Sequence, residues 1–230
     1  MSSSSVATEL RDALRGMLAS GRPHLLPGVD RPPLAAAMAE LRDEAIAALI
    51  DRGFTPDVAT ATLDDIPRKL ELYGDLVDDD WLLAVFTGRV VALGRLQFEV
   101  AAGDHGRHLH IPETGPLTPE SVDDSLARAA ARFADDAALV CDSWVFDARL
   151  RELPATSNLR RFVDRFDVPP TAPTVDGALS VAKFVFRSTP DRVVATPLRP
   201  NASAVERIAY SALTADGLWS KPLATLRPRT

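Results

Sequence analysis

The chain has 230 residues, 46% of them hydrophobic, with 26 Lys and Arg against 32 Asp and Glu, which is enough for one large domain or two small ones around a well-formed core. The net charge of −6 argues against general nucleic-acid binding, which needs a basic footprint; the lone Cys141 excludes an intrachain disulfide framework and a Cys-rich zinc site. The opening MSSSSVATELRD has no basic flank followed by a long apolar run, and no apolar segment approaches spanning length, so a soluble protein of the reducing cytoplasm, without a membrane partner, is expected.

The first eighty-odd residues read as helices. After the serine run Ser2 to Ser5, which reads as frayed, Leu10, Leu14, Met17 and Leu18 sit at helical spacing before Gly21, and a Pro-rich connector RPHLLPGVDRPP follows. Asp30 is placed to cap a helix with Pro32 and Pro33 in its first turn and Leu34, Met38, Leu41, Ala45 and Leu49 as one apolar stripe, stopped by Gly53. Thr55-Pro56 opens another helix, and Asp64 and Asp65 offer a cap for a short one ending near Tyr73-Gly74.

From Arg89 the period changes. VVALGRLQFEV alternates as a single strand that puts Arg95, Gln97 and Glu99 on one face, and beyond the turn AAGDHG the segment RHLHI reads as its antiparallel hairpin partner. Thr118-Pro119-Glu120 starts a helix with Val122, Leu126, Ala129, Ala130 and Phe133 on its buried face, and ALVCDSWVF reads as a third strand. Further on come a helical turn near Leu150, the segment SNLRRFVDRFDV, a Pro-rich loop, and a strand SVAKFVFR. A helix from about Ala202 to Ala215 capped by Asn201 and a final strand LWSKPLATL complete the reading.

Several side chains are candidates for chemistry on residue type and spacing. His108 and His110, two apart on a strand, face the same side, so one imidazole can serve as a base near neutral pH; a structural pair is the alternative, and two histidines alone do not make a zinc site. Glu99 is either a carboxylate base or part of a polar network with Arg95 and Gln97. Asp142 shares a strand face with Trp144, while Cys141 and Ser143 share the other; Cys141 has no base at nearby spacing to make it a thiolate, and a buried structural role suits it. Arg160, Arg161 and Arg165 lie at helical spacing, as a solvated face or as phosphate contacts. The segment from Arg149 to Thr230 is net basic on an otherwise acidic chain, which fits an anionic ligand or scattered surface arginines.

The ordered series LGRLQFEV, HLHIPETGPLTPES, VCDSWVFD and SNLRRFVDRF resembles the carboxy-terminal half of the bacterial acyltransferase domain-containing proteins, a branch of the GNAT superfamily that pairs a helical amino-terminal domain with a GNAT-like domain. The resemblance implies an α/β (α+β) fold with a mixed sheet flanked by helices over 89–230, preceded by a helical region over 1–88. It implies acyl transfer from acyl-CoA, or from a carrier thioester, as co-substrate to an amine or hydroxyl acceptor, with no metal. Two splayed strands would expose the acyl carbonyl, and the loop Pro112–Thr118, with Gly115 and Thr118, would meet the pyrophosphate beside Arg160 and Arg161. The catalytic set is then His110 and Asp142, with His108, Glu99 and Ser143; Tyr73 supplies a phenol of the kind that returns a proton to a leaving thiolate. Related proteins usually carry a His where Asp142 stands, and PETGPLTPES has one glycine and three prolines where the superfamily favours a glycine-rich stretch. A GNAT fold that binds a ligand or protein partner without turnover, and an accessory subunit that dimerises through its helical region, are the alternatives.

Overall fold

The computed structural model describes residues 3–24, 26 and 28–228, with side chains from residue 7 onward. Ser2, two positions of the connector, Leu25 and Pro27, and the side chains of the serine run therefore lie outside the described residues. Two compact units, Met1–Ala101 and Ala102–Thr230, divide the chain.

In the first unit, α1 (Ser3–Ser20) buries Leu10, Leu14, Met17 and Leu18, as the spacing requires. The single helix expected after Asp30 is two helices, α2 (Arg31–Glu40) and α3 (Arg42–Asp51), because Leu41 leaves helical geometry between them. The apolar stripe runs through the break: Leu34, Met38, Leu41, Ala45 and Leu49 are all buried. Asp30 stands at the cap position without capping through its side chain. Next come α4 (Pro56–Leu63), α5 (Asp65–Tyr73) and α6 (Asp79–Phe86). Pro67 falls in the first turn of α5, where a missing N–H costs nothing.

Arg52 holds the ends of two helices together, its guanidinium donating to the carbonyls of Leu18 and Thr87, groups that a helix leaves without an internal partner. VVALGRLQFEV is not one strand. It folds into β1 (Val90–Leu93) and β2 (Leu96–Glu99), paired antiparallel from Val90↔Glu99 to Leu93↔Leu96. Gly94 at φ +72 makes the two-residue turn with Arg95, a conformation that alternation of apolar residues does not reveal. Thr62 locks α4 onto this hairpin: its hydroxyl donates to the Val58 carbonyl at 2.7 Å and accepts from the Ala92 N–H at 2.9 Å.

The second unit opens on the expected turn, where Gly103 and Gly106 exchange two backbone hydrogen bonds around Asp104 and His105. β3 (Arg107–His110) leads through a loop to α7 (Pro119–Arg132) and back to β4 (Leu139–Asp142), which lies parallel to β3. The buried face of α7 is Val122, Ser125 and Ala129; Ala130, expected inside, is exposed. The third strand ends at Asp142 rather than at Phe146, because Ser143 Oγ accepts from the Val145 N–H and Asp147 Oδ1 from the Arg149 N–H, so side chains tie the backbone into 3-10 turns.

After α8 (Asn158–Val163) and β5 (Phe166–Asp167), the expected strand SVAKFVFR is helical: α9 (Val175–Val181) runs into a π turn over Ala182–Phe186. Its β-branched and aromatic residues misled the sequence reading. What decides the segment is a helical face, Ala178, Val181 and Ala182, buried in the cluster around Trp219. A short α10 (Pro190–Ala195) precedes α11 (Ala204–Ala215), whose cap is Ser203 in a reciprocal capping box with Glu206, not Asn201. β6 (Leu223–Leu226) pairs antiparallel with both β4 and β5, so the sheet of this unit is mixed. The rest of the segment expected as the last strand contributes an isolated bridge, Thr174↔Trp219.

Gly177 is where α9 meets that bridge. A Cβ there would lie 1.9 Å from the Trp219 carbonyl oxygen, and backbone cannot swing aside as a side chain can. Gly177→Ala is therefore expected to destabilise the protein by about 3 kcal/mol or more, the upper end of overpacking costs; thermal denaturation of the variant checks this, and an unchanged midpoint would mean that α9 is free to move.

Candidate active site

The parallel pair β3 and β4 organises the candidate residues. Backbone partners are Arg107↔Leu139 and His108↔Val140, and the last two residues of each strand run past this paired stretch. Leu109 and Cys141 point to the buried side, and His110 and Asp142 end the two strands on the other side. His108 and His110 share a face as the spacing predicts, their rings 6.4 Å apart and inclined by 23°. Both are half-buried, and Nε2 of His110 is shielded from solvent.

Asp142 is exposed, its carboxylate 3.3 Å from the Lys221 ammonium, which also reaches Asp176 at 2.9 Å. Burial disfavours the charge on Lys221, but its hydrogen bond to Asp176 and the nearby Asp142 outweigh that and raise its pKa above the usual lysine value. Ser143 continues from β4, donating its N–H to the Pro222 carbonyl at 3.4 Å, with its hydroxyl occupied as the cap of the following turn. Cys141 is buried and its thiol is pushed far up, first by burial and then by the adjacent Asp142. A thiolate nucleophile at this position is thereby disfavoured.

Between His110 and α7 lies the loop with Gly115, exposed at φ +125 and with open space where a Cβ would stand. Thr118 caps α7, its Oγ1 accepting from the Ser121 N–H at 3.2 Å. Pro112, Pro116 and Pro119 contribute no N–H to this loop. Arg165 braces the helix start, with an ion pair to Asp123 and a 3.4 Å hydrogen bond to the Pro119 carbonyl. It cancels one of the acidic groups there, while Glu120 stays exposed.

Of the arginines on α8, Arg160 is engaged with Asp164 at 2.9 Å and with the Arg151 carbonyl, whereas Arg161 is exposed. Glu99 belongs to the first unit, at the end of β2 opposite Val90. Tyr73 is in that unit too, buried at the end of α5 with the Lys69 ammonium 5.2 Å from its ring centre. Among the described residues no group of three or more His, Cys, Asp and Glu is placed to hold a metal ion.

Two clusters escaped the sequence reading. Lys221 is one; nothing in SKPL signals that, just ahead of β6, it meets Asp142 at the end of β4. The other is Asp147, buried beside the site, where its carboxylate accepts from Arg149 at 2.8 Å and from the Ser220 N–H and hydroxyl at 2.8 and 2.7 Å. Arg149 in turn lies 4.6 Å from the Trp219 ring centre. The Asp-x-Arg spacing was a readable signal for the local pair, but Ser220 is 73 residues away.

A mixed sheet in which a parallel pair is joined through a helix, with candidate polar residues at the carboxyl ends of that pair, defines an α/β domain of the GNAT type. The model of the GNAT-like C-terminal domain family matches residues 90–225, and the chain belongs to this family. Among solved structures it is similar to an acyltransferase in complex with decanoyl-CoA, at 24% identity and a TM-score of 0.78 over 96% of this chain and 77% of that one. It is similar also to an acyltransferase variant in complex with octanoyl-CoA, at 24% identity and 0.77 over 96% and 76% of the two chains. An acyltransferase in complex with CoA and 10C-teicoplanin is a further likeness, at 24% identity and 0.74 over 96% and 77%. These likenesses show the fold. No curated protein sequence matches the chain, and among the described residues no helix is long and apolar enough to cross a membrane.

Proposed function

We propose that the protein transfers an acyl group from acyl-CoA to an amine or hydroxyl of a small-molecule acceptor. The observation that carries this reading is the β3–β4 pair, whose carboxyl ends run past their paired stretch and present His110, just before the loop into α7, beside Asp142 at the end of β4. Solved structures of the same fold hold octanoyl- and decanoyl-CoA, which supports a thioester as donor.

In this reading the backbone around Gly115 and the positive end of α7 would hold the donor's pyrophosphate, and exposed Arg161 would add a cation. His110 takes the proton from the acceptor nitrogen or oxygen as that atom attacks the thioester carbonyl carbon. The C–S bond then breaks and the departing thiolate takes up a proton. Asp142 is tied to Lys221, so its role is to fix charge at the strand end rather than to move the proton. That same ion pair favours the second reading, a ligand-binding module without turnover, because a committed carboxylate stands where related proteins usually carry an imidazole.

The two readings separate on ligand stabilisation. Acyl-CoA that binds only the folded protein at a hundredfold excess over its Kd stabilises it by about 2.7 kcal/mol, so the melting temperature is expected to rise with acetyl-, butyryl- or longer acyl-CoA. Unchanged melting at millimolar concentrations of all of them would remove the acyl-CoA reading.

A further inference from the structure

A cavity of about 330 Å³ opens at the opposite end of α7 from Thr118, within the size range of small-molecule sites. Leu126, Ala129, Ala130 and Phe133 of α7 and its continuation form one wall, and Leu139 at the start of β4 forms another. Arg107, the first residue of β3, also lines the cavity and is only 2% exposed. Its guanidinium carbon lies 3.7 Å from the centre of the Phe133 ring, and Nη2 is 2.6 Å from the carboxylate of Asp135 at the rim.

This arrangement is unlike a plain gap in packing. A guanidinium is always charged, and burying it is costly unless an anion meets it. Here one such anion is Asp135, whose side chain is 54% exposed, so a partner of the buried cation stands at an open doorway. A ligand anion can enter by exchanging with it. Asp136 beside the entrance and the negative carboxyl end of α7 oppose any anion, and a multiply charged phosphate more strongly than a single carboxylate. The apolar walls and the face of Phe133 suit a compact hydrophobic body.

We propose that this cavity is a second binding site, for a small monocarboxylate with an apolar or aromatic body, whose carboxylate takes Arg107 in place of Asp135. It is separate from the ends of β3 and β4 that hold His110 and Asp142, since Arg107 and Leu139 begin those strands and three residues of strand span about 10 Å. The site stands whether or not the protein transfers acyl groups.

Benzoate is a suitable probe, with benzamide and phenyl phosphate as controls, followed by saturation-transfer NMR and titration calorimetry on the full chain. Benzoate is expected to bind with a Kd in the millimolar range or tighter, and benzamide at least roughly tenfold more weakly, the loss of a charge-assisted pair. Asp135→Asn should tighten benzoate by removing the competing carboxylate. Ala130→Trp places a bulky ring in the cavity from an exposed helical position, and should abolish benzoate binding while leaving the melting temperature of the free protein near its original value. This variant keeps the test independent of Arg107, whose removal endangers the fold. Absence of benzoate binding, equal binding of benzamide, tighter binding of phenyl phosphate, or binding that survives Ala130→Trp would each overturn the proposal.

Discussion

His110→Ala is expected to lower acyl-transfer turnover by about a hundredfold or more, the usual scale of general-base loss, while acyl-CoA affinity changes little. The reason is position. His110 is the last residue of β3, ahead of the loop that would hold the donor, so its ring can meet an acceptor without touching the pyrophosphate. His108→Ala is expected to act more mildly, through the neighbouring ring 6.4 Å away. Steady-state kinetics with any productive acceptor decide between them: near-normal turnover by a folded His110 variant would dismiss it as the base. A loss of kcat at constant affinity would identify a group used in the transition state.

The largest effect on stability is expected at Asp147. Its carboxylate receives the Arg149 guanidinium and both donors of Ser220 while almost fully buried. Asp147→Ala leaves those donors facing nothing, a change that costs about 3–5 kcal/mol when a buried pair loses one partner. For a chain of this length that lowers the melting temperature by on the order of 10 °C.

The same cluster has a pH signature. Burial works against the ionised carboxylate, but the hydrogen bonds from Arg149 and Ser220 outweigh it and hold its pKa below the usual range. A depressed folded-state pKa contributes stability that is present above the unfolded value, about 3.9, and is lost as pH falls through the folded one. Thermal melts of the parent protein should therefore decline below about pH 4, and the Asp147→Asn variant should lose part of that decline. If both proteins lose stability over the same acid range by the same amount, other carboxylates are responsible.

Periodicity and punctuation carried much of the architecture. The stripe from Leu34 to Leu49, the cap at Thr118, and the glycine turn at Gly103 and Gly106 were readable because each depends on residues within a few positions of one another. The facing of His108 and His110 was readable for the same reason, since a strand alternates its side chains regardless of what it packs against.

Where a distant partner decides, the sequence was silent or misleading. SVAKFVFR has strand-forming residues, yet Trp219 and its neighbours reward a helical face there, and a tertiary contact outweighs an intrinsic preference of about 1 kcal/mol or less. VVALGRLQFEV alternates correctly for one strand, but the positive φ of Gly94 folds it back on itself. Lys221 meets Asp142, Ser220 meets Asp147, and Arg107 meets Asp135 only because β6 lies on β4 and α7 returns over β3. The chain by itself thus determined most of the helices of the first unit, α7 and α11 through local spacing and capping, and which residues could do chemistry. The tertiary structure decided which of those residues stand together, because ion pairs and buried cavities form between elements far apart in sequence, where no local periodicity records them.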